Sequence, residues 1–278
     1  MKIVPEPEWE GIGRDIARRK GVTLLIGATD SGKSTLARHL TRGLLSKGIR
    51  VSLVDSDIGQ SSLGMPGTIS MKVFKSVEDM DEFKPDEMFF IGDYNPARKI
   101  PLMIEGTRKM VDIARGRGAK AILIDTTGLI GGNVGRVLKV GKIRAIRPAH
   151  IIAIQRRGEL EGILSLLHGV DIRRLKVSPF AKKRRKEERN RYRIRRYAEY
   201  FKGSRVVRLP CEGLEFIYKG REVDAGDVEP GRIVGLNRGG DTTALGIFKG
   251  VTKGKVVIKT PLKPIVGIDR ILIGDVVF

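Results

Sequence analysis

The chain has 278 residues, 41% of them hydrophobic, which allows a full α/β domain with a sizeable core and a small appendage. Its 53 Lys and Arg against 32 Asp and Glu leave a net charge of +21. A thermophile-type charged surface ordinarily balances its signs, so this excess points to a polyanionic partner, nucleic acid ahead of an anionic membrane. A single cysteine, Cys211, excludes an intrachain disulfide and fits a reducing cytoplasm, the expected location. His39, His150 and His168 are scattered, which excludes a Cys/His metal site, and the sequence contains neither a signal peptide nor an apolar run of about 18 residues.

Residues 1–20 form an N-terminal segment that holds the only tryptophan, in Pro5-Glu6-Pro7-Glu8-Trp9-Glu10. Ile12 and Ile16, followed by Arg18-Arg19-Lys20, suggest a short helix, with Trp9 packed on the core in preference to a nucleotide base. Strands and helices then alternate. The apolar runs predict strands over 22–26, 50–54, 87–91, 120–124 and 150–154, and the spacing predicts helices over 33–47, 98–115, 133–146 and 159–168. This is the rhythm of a mainly parallel sheet flanked by helices, an α/β fold whose ligands bind beyond the carboxyl ends of the strands.

Between the first strand and the first long helix, residues 27–34 read G-A-T-D-S-G-K-S, a complete GxxxxGK[ST] phosphate-binding loop. The backbone of Gly27, Ala28, Thr29, Asp30, Ser31 and Gly32 is expected to cradle phosphates at a helix N-terminus, continued by Thr35. Lys33 would reach the β- and γ-phosphates, and Ser34 would hold Mg²⁺. The fold class is therefore that of a P-loop NTPase.

The second strand runs into Asp55-Ser56-Asp57. If the strand continues, the two carboxylates project to one side, one able to hold Mg²⁺ through water and the other to accept a proton from an attacking hydroxyl. Turn-forming loop aspartates are an equal reading of the same pair. The 120–124 strand ends in Asp125-Thr126-Thr127-Gly128, the usual form of the second phosphate and Mg²⁺ motif in P-loop proteins. Gly128, Gly131, Gly132 and Gly135 make a loop whose backbone could approach a phosphate.

Residues 182–202 carry eleven Lys or Arg and three Glu. Arg189, Arg193 and Arg196 share one helical face, suited to a transferring phosphoryl group, and Ile194, Tyr197 and Phe201 lie on another, suited to packing. Residues 204–278 show short alternating runs at 217–218, 232–236, 245–248, 255–258 and 270–273, separated by turns at Gly239-Gly240 and Lys253-Gly254. They predict a small C-terminal β domain, a compact barrel.

Taken in order, G-A-T-D-S-G-K-S-T at 27–35, D-S-D-I-G-Q-S-S at 55–62 with Met65-Pro66-Gly67-Thr68, D-T-T-G-L-I-G-G at 125–132 and the arginine segment ending at Gly203 resemble the polynucleotide 5′-hydroxyl kinases. That family comprises archaeal RNA/DNA kinases and the eukaryotic RNA 5′-kinases of mRNA 3′-end, tRNA and rRNA processing. The resemblance covers residues 20–203 and implies a P-loop kinase domain over 21–203, with an arginine-rich helical lid at about 182–202. It implies ATP and Mg²⁺ as cofactors, a nucleic acid with a 5′-hydroxyl end as substrate, RNA-processing proteins as partners, and no membrane. Lys33, Asp57, Arg189 and Arg193 then become the catalytic candidates, Asp57 by activating the hydroxyl. Residues 27–35 and Arg184 would bind ATP, and Asp30 occupies the position that tethers Lys33. Asp55, Gln60, Arg193, Arg196 and the Thr126-Thr127-Gly128 clasp would contact substrate, and Ser34, Asp57 and Asp125 would serve the metal.

Leu129 stands where eukaryotic members have an aromatic residue after the clasp, which implies a weaker base preference. The P-loop begins at residue 27, so the large N-terminal β domain of the eukaryotic members is not expected here, and the Trp9 segment is a candidate source of adenine contacts. Three other readings stand beside this one. The Asp125-Thr126-Thr127-Gly128 run also fits a GTPase-like switch or assembly NTPase. Against it, Gln155-Arg156-Arg157-Gly158 occupies the place of the [NT]KxD guanine motif. The others are a nucleotide-bound RNA-binding subunit with little catalysis, and a small-molecule nucleoside kinase, which the charge disfavours.

Overall fold

The structure, a computed structural model, describes residues 5–278. Helix α1 (Glu8–Arg19) buries Trp9, Ile12 and Ile16 along one stripe. Acidic residues in its first turn and Arg18 and Arg19 in its last complement the helix dipole. Strand β1 (Gly21–Gly27) leads into α2 (Lys33–Leu45), and the buried stripe of α1 packs on Leu36, Leu40 and Leu44 of α2. The Trp9 ring lies 5.2 Å from that of His39, so the expected packing role holds and the indole is committed to this core.

Next come β2 (Val51–Ser56), β3 (Thr68–Phe74), β4 (Glu87–Phe90), α3 (Ile100–Gly116), β5 (Ala121–Thr126), α4 (Gly132–Ile146), β6 (His150–Gln155), the short α5 (Glu161–Leu164), β7 (Asp171–Lys176) and α6 (Lys186–Tyr200). Strands β2, β5, β1, β6 and β7 pair in that order, all parallel. The parallel rhythm does not extend to 87–91, however. Strand β3 pairs antiparallel with β2, and β4 antiparallel with β3. Strands β1, β2 and β5 are buried on both faces, because α1 and α2 cover one side and α3 and α4 the other. The helix expected over 159–168 shortens to α5, in a stretch bounded by Gly158 and Gly169, both at positive φ.

The C-terminal strands are β8 (Arg205–Pro210), β9 (Glu215–Tyr218), β10 (Arg221–Glu222), β11 (Arg232–Arg238), β12 (Asp241–Thr252), β13 (Lys255–Thr260) and β14 (Arg270–Val277). They run in the spatial order β10-β9-β14-β11-β12-β13-β8, around a core that includes Phe216, Phe248, Val256 and Ile271. Among the described residues β8 and β10 do not pair, so this is an open sheet and not the closed barrel expected. The twelve residues of β12 pair with β11 over their first part and with β13 over their last, with a register shift between Phe248 and Gly250. Strand β12 also meets β4 at Thr242 and Met88, which joins both sheets into one.

A second core seals that joint. Tyr197 of α6 and Phe201 just beyond its end pack with Met65, Phe90, Leu245 and Val276, and Ile194 is left exposed, contrary to its expected place on the packing face. The Tyr197 hydroxyl donates to Pro66 O at 2.6 Å in a buried setting. Tyr197→Phe should cost about 1 kcal/mol by leaving that carbonyl unpaired. Tyr197→Ala should cost about 3–5 kcal/mol by opening a cavity under the lid helix. Urea unfolding monitored by circular dichroism checks both, and an unchanged midpoint for the alanine variant would show that α6 is not held by this core.

Candidate active site

The site is built where β1, β2 and β5 end. Residues 28–32 connect β1 to α2, with Asp30 and Gly32 both at positive φ (57° and 92°), a conformation that turns successive backbone N–H groups inward as an anion nest. Lys33 is 5% exposed. Its ammonium donates to Gly27 O (3.0 Å) and Ala28 O (2.8 Å) and sits 3.5 Å from Ser31 Oγ. Burial lowers its pKa, against the pull of Asp125 and Asp57. Asp30 does not tether this lysine, as the resemblance implied. Its carboxylate accepts from Arg189 at 2.6 Å and from the Arg184 backbone N–H at 3.0 Å, so the loop aspartate latches the lid.

In the parallel ladder Asp55 of β2 stands level with Asp125 of β5, and Ser56 with Thr126. Strand alternation therefore sends both aspartates to the α2 face and both hydroxyls to the α4 face. The Ser34 hydroxyl donates to Asp125 Oδ2, and among the described residues Asp125 Oδ1 is buried without a partner. A carboxylate with one bare, buried oxygen beside a serine hydroxyl is the donor set that suits Mg²⁺, so the residues fit the ion. Among the described residues there is no group of three or more His, Cys, Asp or Glu that could hold a metal ion.

Asp55 is placed differently from expectation. It is 0% exposed, and its carboxylate accepts from the N–H groups of Asp57, Ser62 and Leu63 and from the Ser61 and Ser62 hydroxyls. It organises the 57–63 loop and has no face left for substrate. Strand β2 ends at Ser56, so Asp57 does not continue its alternation. The Asp57 Oδ1 accepts from the Gly59 and Gln60 N–H groups, which fixes the carboxylate at the mouth of the loop. Thr126 is likewise unavailable: its hydroxyl is buried and donates to Leu25 O at 2.7 Å, a tie between β5 and β1. Thr127 and Gly128 remain at the site. A Cβ on Gly128 would lie 2.5 Å from Thr29 Cα, so the clasp backbone rests directly on the phosphate loop.

Helix α6 closes the other side. Arg184 lies 3.4 Å from Gln60 Oε1, Tyr192 donates to Ser61 O at 2.6 Å, Arg196 donates to Gly64 O, and the Arg193 guanidinium sits 4.7 Å over the Tyr94 ring. Among the described residues the Nε atoms of Arg189, Arg193 and Arg196 are all buried without partners. Arg189 reaches the phosphate loop through Asp30, and the three guanidinium groups along α6 are of the kind that binds phosphate oxygens. Residues with no motif also take part. Arg156 donates to Asp30 O, Tyr94 supports Arg193, and Lys139 and Lys142 lie beneath the clasp. Of these only the lysines left a trace in the sequence, as charges on the apolar stripe of Leu138 and Ile146.

Gly128→Ala should abolish nucleotide binding, measured by isothermal titration with ATP, since the clash falls on backbone; binding within twofold of the original would contradict the packing described. Burial, then the neighbouring Asp55, raises Asp125 from 3.8 to about 7. The folded chain thus holds a proton there that the unfolded chain releases, and stability should fall as pH rises through that window. Asp125→Asn should flatten this slope in thermal melts of the nucleotide-free protein between pH 4 and 7, a window set by those two values. A slope unchanged by the substitution would assign it to other groups.

The chain is similar to known proteins over most of its length. The family model described as mRNA cleavage and polyadenylation factor CLP1 P-loop matches residues 27–203. A polyribonucleotide 5′-hydroxyl-kinase of Methanocaldococcus jannaschii is 38% identical over 209 residues, covering 74% of this chain and 57% of the relative. One of Pyrococcus horikoshii is 33% identical over 233 residues, covering 81% of this chain and 63% of the relative. The chain therefore spans about three-fifths of the length of these relatives. In the solved Clp1p–Pcf11p complex a chain superposes with a TM-score of 0.77 at 10% identity, covering 97% of this chain and 79% of that one, a likeness of fold. The shared fold and the matched residues have one reading: the chain belongs to the CLP1 P-loop family of nucleotide-binding proteins.

Proposed function

We propose that the chain is an ATP-dependent polynucleotide 5′-hydroxyl kinase. The observation that carries this reading is the phosphate loop latched through Asp30 to the arginine helix α6, with the Asp57 carboxylate on the neighbouring loop. A hydrolytic switch needs no carboxylate aimed at an incoming alcohol, and the relatives named above are kinases of 5′-hydroxyl ends. The net charge of +21 suits a phosphodiester strand, whose binding should weaken steeply with salt.

In this reading the 5′-hydroxyl oxygen attacks the γ-phosphorus in line. The new P–O bond forms as the bond to the β,γ-bridging oxygen breaks, ADP leaves, and the hydroxyl proton passes to Asp57. Lys33 leaves its carbonyl partners to meet the β- and γ-phosphates, and Arg189 and Arg193 hold the charge on the transferring group. Ser34 and Asp125 would hold Mg²⁺, which supplies charge neutralisation between the β- and γ-phosphates when bound. Thr127 and Gly128 position the strand end, and Arg196 and Gln60 brace the lid against the loop that carries Asp57. Base preference is weak, since Leu129 packs against the apolar core below the clasp. Protein partners in RNA processing and a cytoplasmic location belong to the same proposal; among the described residues no helix is long and apolar enough to cross a membrane.

Lys33→Ala should abolish transfer of label from γ-labelled ATP to a 5′-hydroxyl oligonucleotide, and near-normal transfer would remove the nucleotide-site assignment. Arg193→Ala should lower transfer by about 100-fold or more while strand affinity, read by fluorescence anisotropy, changes far less. An equal loss of both would make Arg193 a plain phosphate anchor.

A further inference from the structure

Lys139 and Lys142 take no part in the reaction as written, yet they are among the most demanding groups in the molecule to bury. Both are 0% exposed, three residues apart on the inner face of α4. Among the described residues neither ammonium pairs with a carboxylate. Lys139 donates to Thr126 Oγ1 (2.8 Å) and to Thr127 O, and Lys142 donates to Ser56 Oγ (2.8 Å). A buried ammonium held only by neutral oxygens is strongly disfavoured over an apolar side chain of similar volume, so packing alone does not account for either.

Their partners account for them. Strands β2 and β5 end in Asp-Ser and Asp-Thr, and alternation gives the aspartates to the nucleotide side and the hydroxyls to the lysine side. Thr126, bound by Lys139, is the residue tied to Leu25 O, two positions before the phosphate loop begins. Thr127 O, also bound by Lys139, immediately precedes the glycine that rests on Thr29. Ser56, bound by Lys142, donates to Asp125 O at 2.9 Å and immediately precedes Asp57. Each lysine therefore grips one of the two strand ends that present the reacting groups. Burial lowers the pKa of both, to about 7 for Lys142, while the carboxylates across the strand ends act in the opposite sense.

We propose that Lys139 and Lys142 are positioning residues of the transfer site. Lys139 holds the Thr127–Gly128 turn on the phosphate loop, and Lys142 holds the end of β2 from which Asp57 projects. Their place in catalysis rests on the kinase reading; their hold on the two loops does not.

The test uses the full chain with Lys139→Met and Lys142→Met, which keep volume and remove charge, and Lys139→Gln, which restores a shorter donor. Transfer to a 5′-hydroxyl oligonucleotide, thermal melting, and hydrogen exchange of residues 57–62 and 126–131 by mass spectrometry are measured together. The methionine variants should melt at or above the original temperature. Their kcat should fall by about 10–100-fold, with KM for ATP within about threefold, and exchange in the gripped loop should quicken. Lys139→Gln should recover part of kcat. Turnover within about twofold of the original with unchanged exchange would overturn the proposal. So would a large drop in melting temperature with kcat per folded molecule preserved. If the unsubstituted protein transfers no phosphate, the kinase reading fails, and the exchange data alone decide whether the lysines hold the loops.

Discussion

Three carboxylates and three lysine ammonium groups share the space where β1, β2 and β5 end, and the surrounding fold is arranged to make that tolerable. Asp55, Asp125, Lys33, Lys139 and Lys142 are buried, and Asp57 stands at the rim. An unpaired charge in such a place would neutralise or unfold its surroundings. Here the parallel ladder sorts the groups by face: Asp55 and Asp125 toward α2, the side of Lys33 and the phosphate loop, and the Ser56 and Thr126 hydroxyls toward Lys139 and Lys142 of α4. The helices on both faces exclude water from the strand ends, which strengthens every interaction among these groups.

The lid is subordinate to the same arrangement. Asp30, freed from any duty to Lys33, spends its carboxylate on Arg189 and the Arg184 backbone, while Gln60 and Ser61 hold α6 from the opposite loop. The far end of α6 is anchored by Tyr197 and Phe201 in the core shared with β12 and β14. The C-terminal sheet thereby acts as a foundation for the lid helix. That gives residues 204–278 a mechanical part in the site without placing any of their side chains in it.

The P-loop, the parallel strands and the arginine helix were legible because each carries a dense local signal: a fixed-spacing motif, an apolar run, a one-faced charge pattern. Strand β7 was not, because Asp171-Ile172-Arg173-Arg174-Leu175-Lys176 is a polar edge strand. The antiparallel turn of β3 and β4 was hidden as well, since strand direction is fixed by partners distant in sequence. The same limit applies within the site. Asp55 and Asp57 look alike two residues apart, and only the fold shows that both hold turns, Asp55 fully buried beneath the 57–63 loop and Asp57 half-buried at its rim, capping Gly59 and Gln60. Thr126 and Thr127 divide in the same way. Lys139 and Lys142 stand out in the sequence only as charges on the apolar stripe of α4, and their partners appear once the ends of β2 and β5 are set against them.

The central claim is that this charge cluster moves a phosphoryl group onto a 5′-hydroxyl. The most direct measurement incubates the purified protein with Mg²⁺ and γ-labelled ATP, alongside a 5′-hydroxyl RNA strand and its 5′-phosphorylated twin. The account predicts label on the 5′-hydroxyl strand alone. Release of labelled phosphate with neither strand labelled would contradict it and favour a switch or assembly NTPase.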